Sequence, residues 1–280
     1  MKKFLSSVFS AILCLAFCFS TVACNKEVPA VDDNNLTITV GASSAPHAEI
    51  LEFVKPILAE QNYTLKIVTF DDYVLPNEGV ADGSLDANYF QHTPYLNSYN
   101  QEKKSDIVSI GKIHYEPFGL FGNGIDLANV PSGTTVFVPS DDSNCTRALY
   151  LLAQAELITL PNDASIEEGV SVLDITNDNG LHIVPVEAST LPAQLKANTG
   201  ALACINGNYA ISAGIDLSTA LALENADGAA ANLYGNIIAT RKGSENSVKL
   251  KALVDALLSQ EVASWIETKY AGAVKSLAQN

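Results

Sequence analysis

From Leu36 onward, short stretches of alternating apolar and polar residues are followed by longer stretches with helical periodicity. The alternation in LTITV, residues 36–40, is typical of a strand with one buried face. Residues 46–61 instead repeat apolar positions every three or four residues, as an amphipathic helix does. Strands and helices alternate in this way in two successive series along the chain. This pattern predicts an α/β fold with parallel sheets.

Two series of elements are predicted. In the first, strands are predicted at residues 36–40, 63–70 and 84–90, and extended structure at residues 106–121. Helices are predicted at residues 46–61 and 72–82 and from Pro94, with Thr93 as the cap. In the second, strands are predicted at residues 134–139, 181–187, 201–205 and 236–243, and helices at residues 144–156, 191–197, 247–258 and 262–270.

These two series predict two α/β lobes. One lobe is predicted to comprise residues 36–116 and 236–280, and the other residues 117–235. The segment EPFGLF leaves the first lobe, and GNIIAT returns to it. Small ligands usually bind in clefts of this kind, so we expect a binding site between the lobes.

The N-terminal 23 residues have the layout of a secretory signal. Lys2 and Lys3 precede an apolar run at residues 8–19, which is too short to cross a bilayer as a helix. The sequence TVAC places a cysteine, Cys24, where bacterial lipoproteins are lipidated, and residues 24–35 then form a polar tether. The alternative is a plain signal peptide that is cleaved nearby. The lipoprotein interpretation predicts attachment to the cell membrane, facing the periplasm or the cell exterior.

Charge and cysteine content narrow the function classes. Removing the signal removes Lys2 and Lys3 and no acidic residue, which lowers the formal net charge from −15 by two, to −17. An exported protein this acidic is a poor candidate for nucleic-acid binding. The two remaining cysteines, Cys145 and Cys204, do not form a disulfide framework, and we expect them more often free than bonded.

An aromatic and histidine cluster lies in LDANYFQHTPYL, residues 85–96. A predicted strand ends here, and ligands of open α/β sheets bind beyond the carboxyl ends of strands. Phe90, His92 and Tyr95 are therefore candidates for a pocket. The alternative is that His92 caps a helix and the aromatic side chains belong to the core.

A second candidate is PSDDSNCTRALYLL, residues 139–152. Arg147 is predicted in the first turn of a helix, where a guanidinium and free backbone N–H groups bind an anion such as a carboxylate. The alternative is a surface arginine paired with Asp141 or Asp142. A weaker signal is INGNYA, where Asn206 and Asn208 follow a buried strand.

Catalytic and metal-binding motifs are absent from the sequence. It contains no G-x-S-x-G, H-E-x-x-H or P-loop motif, and its four histidines lack ligand spacing. We therefore expect neither an enzyme nor a bound metal or cofactor.

With these segments in hand, the chain resembles the methionine-binding lipoproteins that serve bacterial methionine ABC importers. The matching segments are GASSAPHAEILE, FDDYVLPN, ADGSLDANYFQHTPYL, GKIHYEPFGLF, INGNYA, LYGNIIATRKG and IETKYAGAV, which occur in the family order from Gly41 to Val274. The resemblance implies a two-lobed periplasmic-binding-protein fold, type II-like, with two hinge strands that join the lobes.

The resemblance also implies roles for individual residues. Arg147 would hold the carboxylate of the bound amino acid, and Asn206 and Asn236 its backbone end. The side chain would lie among Tyr73, Phe90, His92 and Tyr95. The chain departs from the family pattern near the arginine, at Ser140, Asp142, Cys145 and Thr146, but it retains Asn144 and Arg147.

The resulting prediction is a monomeric, lipid-anchored protein that captures L-methionine and delivers it to an ABC permease and its ATPase. One alternative is another small amino acid or a methionine-containing dipeptide as the ligand. A second alternative, from another class, is a surface adhesin or immunogenic lipoprotein without a ligand.

Overall fold

The structure is a computed structural model that describes residues 28–225 and 229–278. The predicted signal peptide and Cys24 lie outside these residues. The described chain forms two sheets, each covered by helices, and no described helix is long and apolar enough to cross a membrane.

The first sheet combines parallel strands from the N-terminal half with antiparallel strands from later in the chain. Its strands are β1 (Thr37–Ser43), β2 (Thr64–Phe70), β3 (Ala87–His92), β4 (Ile107–Tyr115), β10 (Asn236–Arg241) and β11 (Lys275–Ser276). Their spatial order is β11-β4-β10-β3-β1-β2. Strand β1 pairs in parallel with β2 and β3, and β10 is inserted antiparallel between β3 and β4.

The second sheet is built from the middle of the chain. Its strands are β5 (Gly119–Gly122), β6 (Thr135–Pro139), β7 (His182–Val186), β8 (Leu202–Ile205) and β9 (Ala222–Leu223). Their order is β7-β6-β8-β5-β9, with β6 parallel to β7 and β8 and with β5 antiparallel to β8 and β9. The chain passes from the first sheet to the second between β4 and β5, and it returns to the first sheet between β9 and β10.

Helices alternate with strands along the chain, as the hydrophobic periodicity predicts. They are α1 (Glu49–Glu60), α2 (Leu75–Ala81), α3 (Thr93–Lys103), α4 (Asp142–Gln154), α5 (Leu191–Ala197), α6 (Gly207–Ser212), α7 (Ala229–Tyr234), α8 (Val248–Leu257) and α9 (Gln260–Tyr270). Helix α5 has the predicted bounds.

The extended stretch at residues 106–121 contributes β4 to the first sheet and β5 to the second. Two local predictions are wrong. The N-cap of α3 is His92 rather than Thr93, since the His92 side chain accepts the Tyr95 N–H. Arg147 lies in the second turn of α4, because the helix already begins at Asp142.

The cores of the two lobes meet at the cleft. One hydrophobic cluster lies against the first sheet and another against the second, and a third contains side chains of both, among them Tyr73 and Tyr209. Cys145 and Cys204 are buried free thiols within the second lobe, as expected.

Candidate functional site

A small buried cavity lies between the two sheets, near the two chain crossings. It is lined by Tyr73, Phe90, Gln91, His92, Tyr95, Glu116, Asn144, Arg147, Asn206, Gly207, Asn208 and Asn236. All nine residues that the sequence predicts to bind ligand are in this set. The structure thus brings them together, while their role in binding stays a prediction.

The cavity is nearly closed. The free space between its side chains is about 20 Å3, which is about the room that one water molecule needs. Side chains of opposite lobes touch directly across it: the Tyr73 hydroxyl donates to Asn208 Oδ1 at 2.6 Å, and His92 Nε2 lies 3.2 Å from Asn144 Oδ1. A ligand larger than water can therefore enter only if the lobes separate or these contacts break.

One wall of the cavity is aromatic. The ring of Tyr73 lies 5.6 Å from that of Phe90 and 5.5 Å from that of Tyr95. The Tyr95 hydroxyl donates to the backbone carbonyl of Tyr73, which fixes the two rings relative to each other. Tyr209 of α6 adds a fourth ring, 4.9 Å from Tyr73, that the sequence reasoning missed.

Arg147 projects from α4 toward the crossings, where it is almost fully buried. Its Nε and Nη2 donate to the two carboxylate oxygens of Glu224 at 2.8 and 2.5 Å, and Nη2 also donates to the Glu116 carbonyl at 3.0 Å. The guanidinium carbon lies 4.3 Å from the centre of the Tyr234 ring. Burial alone lowers the pKa of Arg147, but Glu224 outweighs burial and raises it above its usual value.

Two interpretations of Arg147 from the sequence are therefore wrong. The arginine is not a surface residue paired with Asp141 or Asp142, because its partner is Glu224. It also shares no anion site with the α4 N-terminus, where Asp141 itself accepts the Asn144 N–H at 2.9 Å. The guanidinium also lines the small cavity, so a ligand there can contact it.

A chain of hydrogen bonds fixes the amide groups of the second lobe. The Asp141 carboxylate can only accept, so Asn144 must donate to it through Nδ2, at 2.9 Å. Asn144 Oδ1 then accepts from Asn206 Nδ2 at 2.8 Å. The remaining atom, Asn206 Oδ1, is a buried acceptor without a partner among the described residues, and Asn208 Nδ2 is a buried donor in the same situation.

His92 is held in one neutral form by the same chain. Its Nδ1 accepts the Tyr95 N–H, which leaves Nε2 to donate to Asn144 Oδ1. Burial, together with the nearby charge of Arg147, lowers the pKa of His92 to about 3. His92 therefore does both things that the sequence left open: it caps α3 and lines the cavity.

A buried histidine–glutamate cluster lies at the floor of the cavity. His114 Nε2 donates to Glu116 Oε1 at 2.6 Å, and His114 Nδ1 accepts from the Tyr89 hydroxyl. His47 Nε2 lies 3.0 Å from Asn236 Oδ1 and 3.4 Å from Glu116 Oε1. Burial lowers the pKa of His47 to about 4 and that of His114 to about 3, and it raises the pKa of Glu116.

Sequence reasoning missed Glu116 and Glu224. Glu116 lies inside a stretch interpreted only as a lobe crossing, although an acidic residue between HY and PF is unusual for a buried extended segment and is a usable signal. Glu224 carries no local signal, since its partner Arg147 is 77 residues away.

A larger groove, about 780 Å3, opens elsewhere along the boundary between the lobes. Phe70, Phe121, Pro192 and Ile215 contribute its apolar lining, and it shares Asn208 with the small cavity. The described residues that line it form no buried ion pair, so the smaller cavity, where buried polar groups converge, is the better candidate for a specific site.

Comparison with known proteins gives consistent matches over the whole chain. A family model described as NlpA lipoprotein matches residues 38–278. The methionine-binding lipoprotein MetQ of Bacillus subtilis is 36% identical over an alignment that covers all of both chains. A lipoprotein structure from Ruminococcus gnavus is 46% identical, with a TM-score of 0.82 over 86% of this chain and 99% of its own. A nutrient-binding protein of Burkholderia cenocepacia, solved bound to methionine, is 33% identical, with a TM-score of 0.80 over 86% of this chain and 99% of its own.

Proposed function

The chain belongs to the NlpA lipoprotein family, and from the chemistry of its cleft we propose that it binds L-methionine between its lobes and delivers it to an ABC importer. In this proposal the protein is a monomeric substrate-binding protein and not an enzyme, and its partners are the permease and ATPase of the importer. Two of its relatives are named as a methionine-binding lipoprotein and as a nutrient-binding protein bound to methionine, which supports methionine as the ligand.

The observation that carries the proposal is the pair of unpartnered amide atoms in one cavity. Asn206 Oδ1 is an acceptor that suits an α-ammonium group, and Asn208 Nδ2 is a donor that suits a carboxylate. Arg147 lines the same cavity and brings a guanidinium, which pairs well with a carboxylate. A buried polar atom without a partner costs about 1–3 kcal/mol, so a ligand that satisfies these atoms is favoured. A zwitterionic amino acid offers both groups on one carbon.

The aromatic wall suits the side chain of methionine. Tyr73, Phe90 and Tyr95 line the cavity and present ring edges and faces to one another and to a ligand. Contact of a thioether sulfur with an aromatic ring contributes about 0.3–1.5 kcal/mol. In the bound state we expect the ligand to replace the direct contact between Tyr73 and Asn208.

We also propose residues 36–116 and 236–280 as one lobe and residues 117–235 as the other. The assignment of β1–β4, β10 and β11 to one sheet and β5–β9 to the other supports these bounds. Arg147 comes from the second lobe and Asn236 from the first, so a ligand that contacts both favours the closed arrangement through contacts that only this arrangement offers.

Calorimetric titration of refolded, ligand-free protein with the twenty amino acids tests the proposal. We expect L-methionine to bind tightest. Norleucine, in which a methylene replaces the sulfur, is expected to bind about 2- to 10-fold more weakly for each sulfur–ring interaction that it cannot form. Tighter binding of another amino acid or of a methionine-containing dipeptide would assign a different ligand. No binding of any of them would favour a lipoprotein without a ligand.

The anchor is proposed to be an acylated Cys24. Replacing Cys24 with serine is expected to move the protein from the membrane fraction to the soluble fraction, because two or more acyl chains are needed for stable attachment. Cell fractionation and intact-protein mass spectrometry measure this. A variant that stays in the membrane, together with a wild type that carries no acyl mass, would contradict the proposal.

A further inference from the structure

The cavity contains a buried acidic side chain, Glu116, in addition to the Arg147–Glu224 ion pair beside it. Arg147 is the cation of the site, and two of its donors, Nε and Nη2, are already taken by Glu224. Glu224 also accepts from the Tyr115 hydroxyl at 2.6 Å, so this ion pair is complete without a ligand. Glu116 is a second carboxylate at the same site, and it is 5% exposed.

The partners of the Glu116 carboxylate are neutral. His114 donates one N–H to it, and its other ring nitrogen is occupied by Tyr89, which holds the ring in a neutral tautomer. His47, fully buried, keeps an unpartnered Nδ1 and is likewise neutral at physiological pH. Arg147 reaches only the main-chain carbonyl of Glu116. Among the residues that the structure describes, the ion-pair contacts of Glu116 are limited to these two histidines.

From this geometry we infer that Glu116 is a specificity-determining residue that pairs with the ammonium group of the ligand. The inference rests on the proposed function and deepens it. Glu116 and the guanidinium of Arg147 both line the cavity, so a ligand with an ammonium group and a carboxylate offers a charged partner to each of them. Asn206 Oδ1, the unpartnered acceptor in the same cavity, accepts a second hydrogen of the ammonium group.

The local backbone is shaped around this carboxylate. A Cβ atom at Gly207 would lie 2.7 Å from Glu116 Cβ and 2.9 Å from Glu116 Oε2. Glycine therefore lets α6 of the second lobe approach the carboxylate closely, so that Asn206 and Asn208 reach the cavity from the flanking positions. Glu116 lies where the chain first passes between the sheets, and it lines the cavity, so it can contact a ligand that both lobes hold.

The inference predicts discrimination against ligands without an ammonium group. We expect wild-type protein to bind L-methionine at least about 30-fold more tightly than 2-hydroxy-4-(methylthio)butanoate, in which a hydroxyl replaces the ammonium, because this ligand cannot form the desolvated charge pair. In Glu116→Gln, methionine is expected to bind about 30-fold or more weakly, while the hydroxy acid binds as tightly as to wild type or more tightly. Calorimetry on both proteins measures the ratio of the two affinities.

The matched control is Glu156→Gln, the same chemical change at an exposed position of the second lobe, which should leave both affinities unchanged. If Glu116→Gln lowered the affinities for methionine and for the hydroxy acid equally, Glu116 would have a merely structural role and the inference would be overturned. If this variant does not fold, the wild-type comparison still decides, since a hydroxy acid that binds within a few-fold of methionine overturns it too. Wild-type protein that binds no methionine would instead refute the proposed function, and this inference with it.

Discussion

Arg147→Ala is expected to weaken L-methionine binding by about 30-fold to several thousand-fold, since losing one partner of a desolvated, charge-assisted pair costs about 2–5 kcal/mol. Arg147 lines the cavity, so alanine removes the proposed carboxylate contact directly. The measurement is calorimetric titration of the variant with methionine. An affinity within a few-fold of wild type would exclude Arg147 as the carboxylate-binding residue.

A second variant is needed to separate the effect on binding from the effect on folding, because Arg147 also forms an ion pair with Glu224. The Glu224 side chain is 12% exposed, so alanine at position 147 leaves a nearly buried carboxylate without its cation. Breaking a buried pair on one side costs about 3–5 kcal/mol of folding stability, because it leaves an uncompensated buried charge, whereas replacing both partners leaves none. The double variant Arg147→Ala/Glu224→Gln is therefore expected to recover stability but not binding.

Arg241 offers a matched control for removal of a buried arginine. It is 9% exposed and donates to the carbonyls of Pro29 and Leu85, away from the cavity. Arg241→Ala is expected to lower the stability to chemical denaturation while leaving the methionine affinity unchanged. If both arginine variants bound methionine more weakly in proportion to their reduced stability, the effect at position 147 would be one of folding alone.

The fold was predictable from sequence because its signals are local. Helix α5 is confirmed at its predicted bounds, since a proline at its start and apolar spacing over two turns define it within seven residues. The two-lobed α/β fold that the resemblance implied is confirmed by the relatives of known structure. The cap of α3 was placed one residue late because Thr93 has the hydroxyl that usually caps, whereas β3 runs on to His92 and its ring takes that role.

The electrostatics of the site were not predictable, because they depend on contacts between distant residues. Arg147 and Glu224 are far apart in sequence, and only the packing of β5 against β9 brings the second crossing beside α4. The same holds for His47 and Asn236, which meet only because β10 is inserted between β3 and β4. Sequence therefore identified nine of the residues that meet at the cavity, but it missed Glu116 and the contacts that these side chains make with one another.

Acid is expected to destabilise the folded protein strongly, through the three buried histidines His47, His92 and His114. Burial lowers their pKa values to about 4, 3 and 3 in the folded state, against about 6.5 in an unfolded chain. As the pH falls below about 6.5, the unfolded chain takes up protons that the folded protein does not. Each histidine then costs about 2 kcal/mol at pH 5, so the three together cost about 6 kcal/mol.

Two carboxyls act in the opposite direction. Burial raises the pKa values of Glu116 and Asp141 in the folded state, so these groups bind protons more readily there than in the unfolded chain and offset part of the destabilisation as the pH falls. The histidine effect begins at higher pH, near 6.5, and involves three groups. The net stability is therefore expected to fall between pH 7 and 5 by somewhat less than the histidine sum.

The free energy of unfolding, measured by urea titration between pH 7.5 and 5, tests this account, and His47→Gln isolates one of the three groups. A glutamine amide can still donate to Asn236 Oδ1, and the histidine Nδ1 that it replaces has no partner among the described residues. The variant is expected to lose less stability on acidification than wild type, by about 2 kcal/mol at pH 5. His182→Gln makes the same chemical change at an exposed position and serves as the matched control. Parallel pH curves for wild type and His47→Gln would mean that His47 is not held neutral in the folded protein, and the neutral surroundings of Glu116 would then need revision.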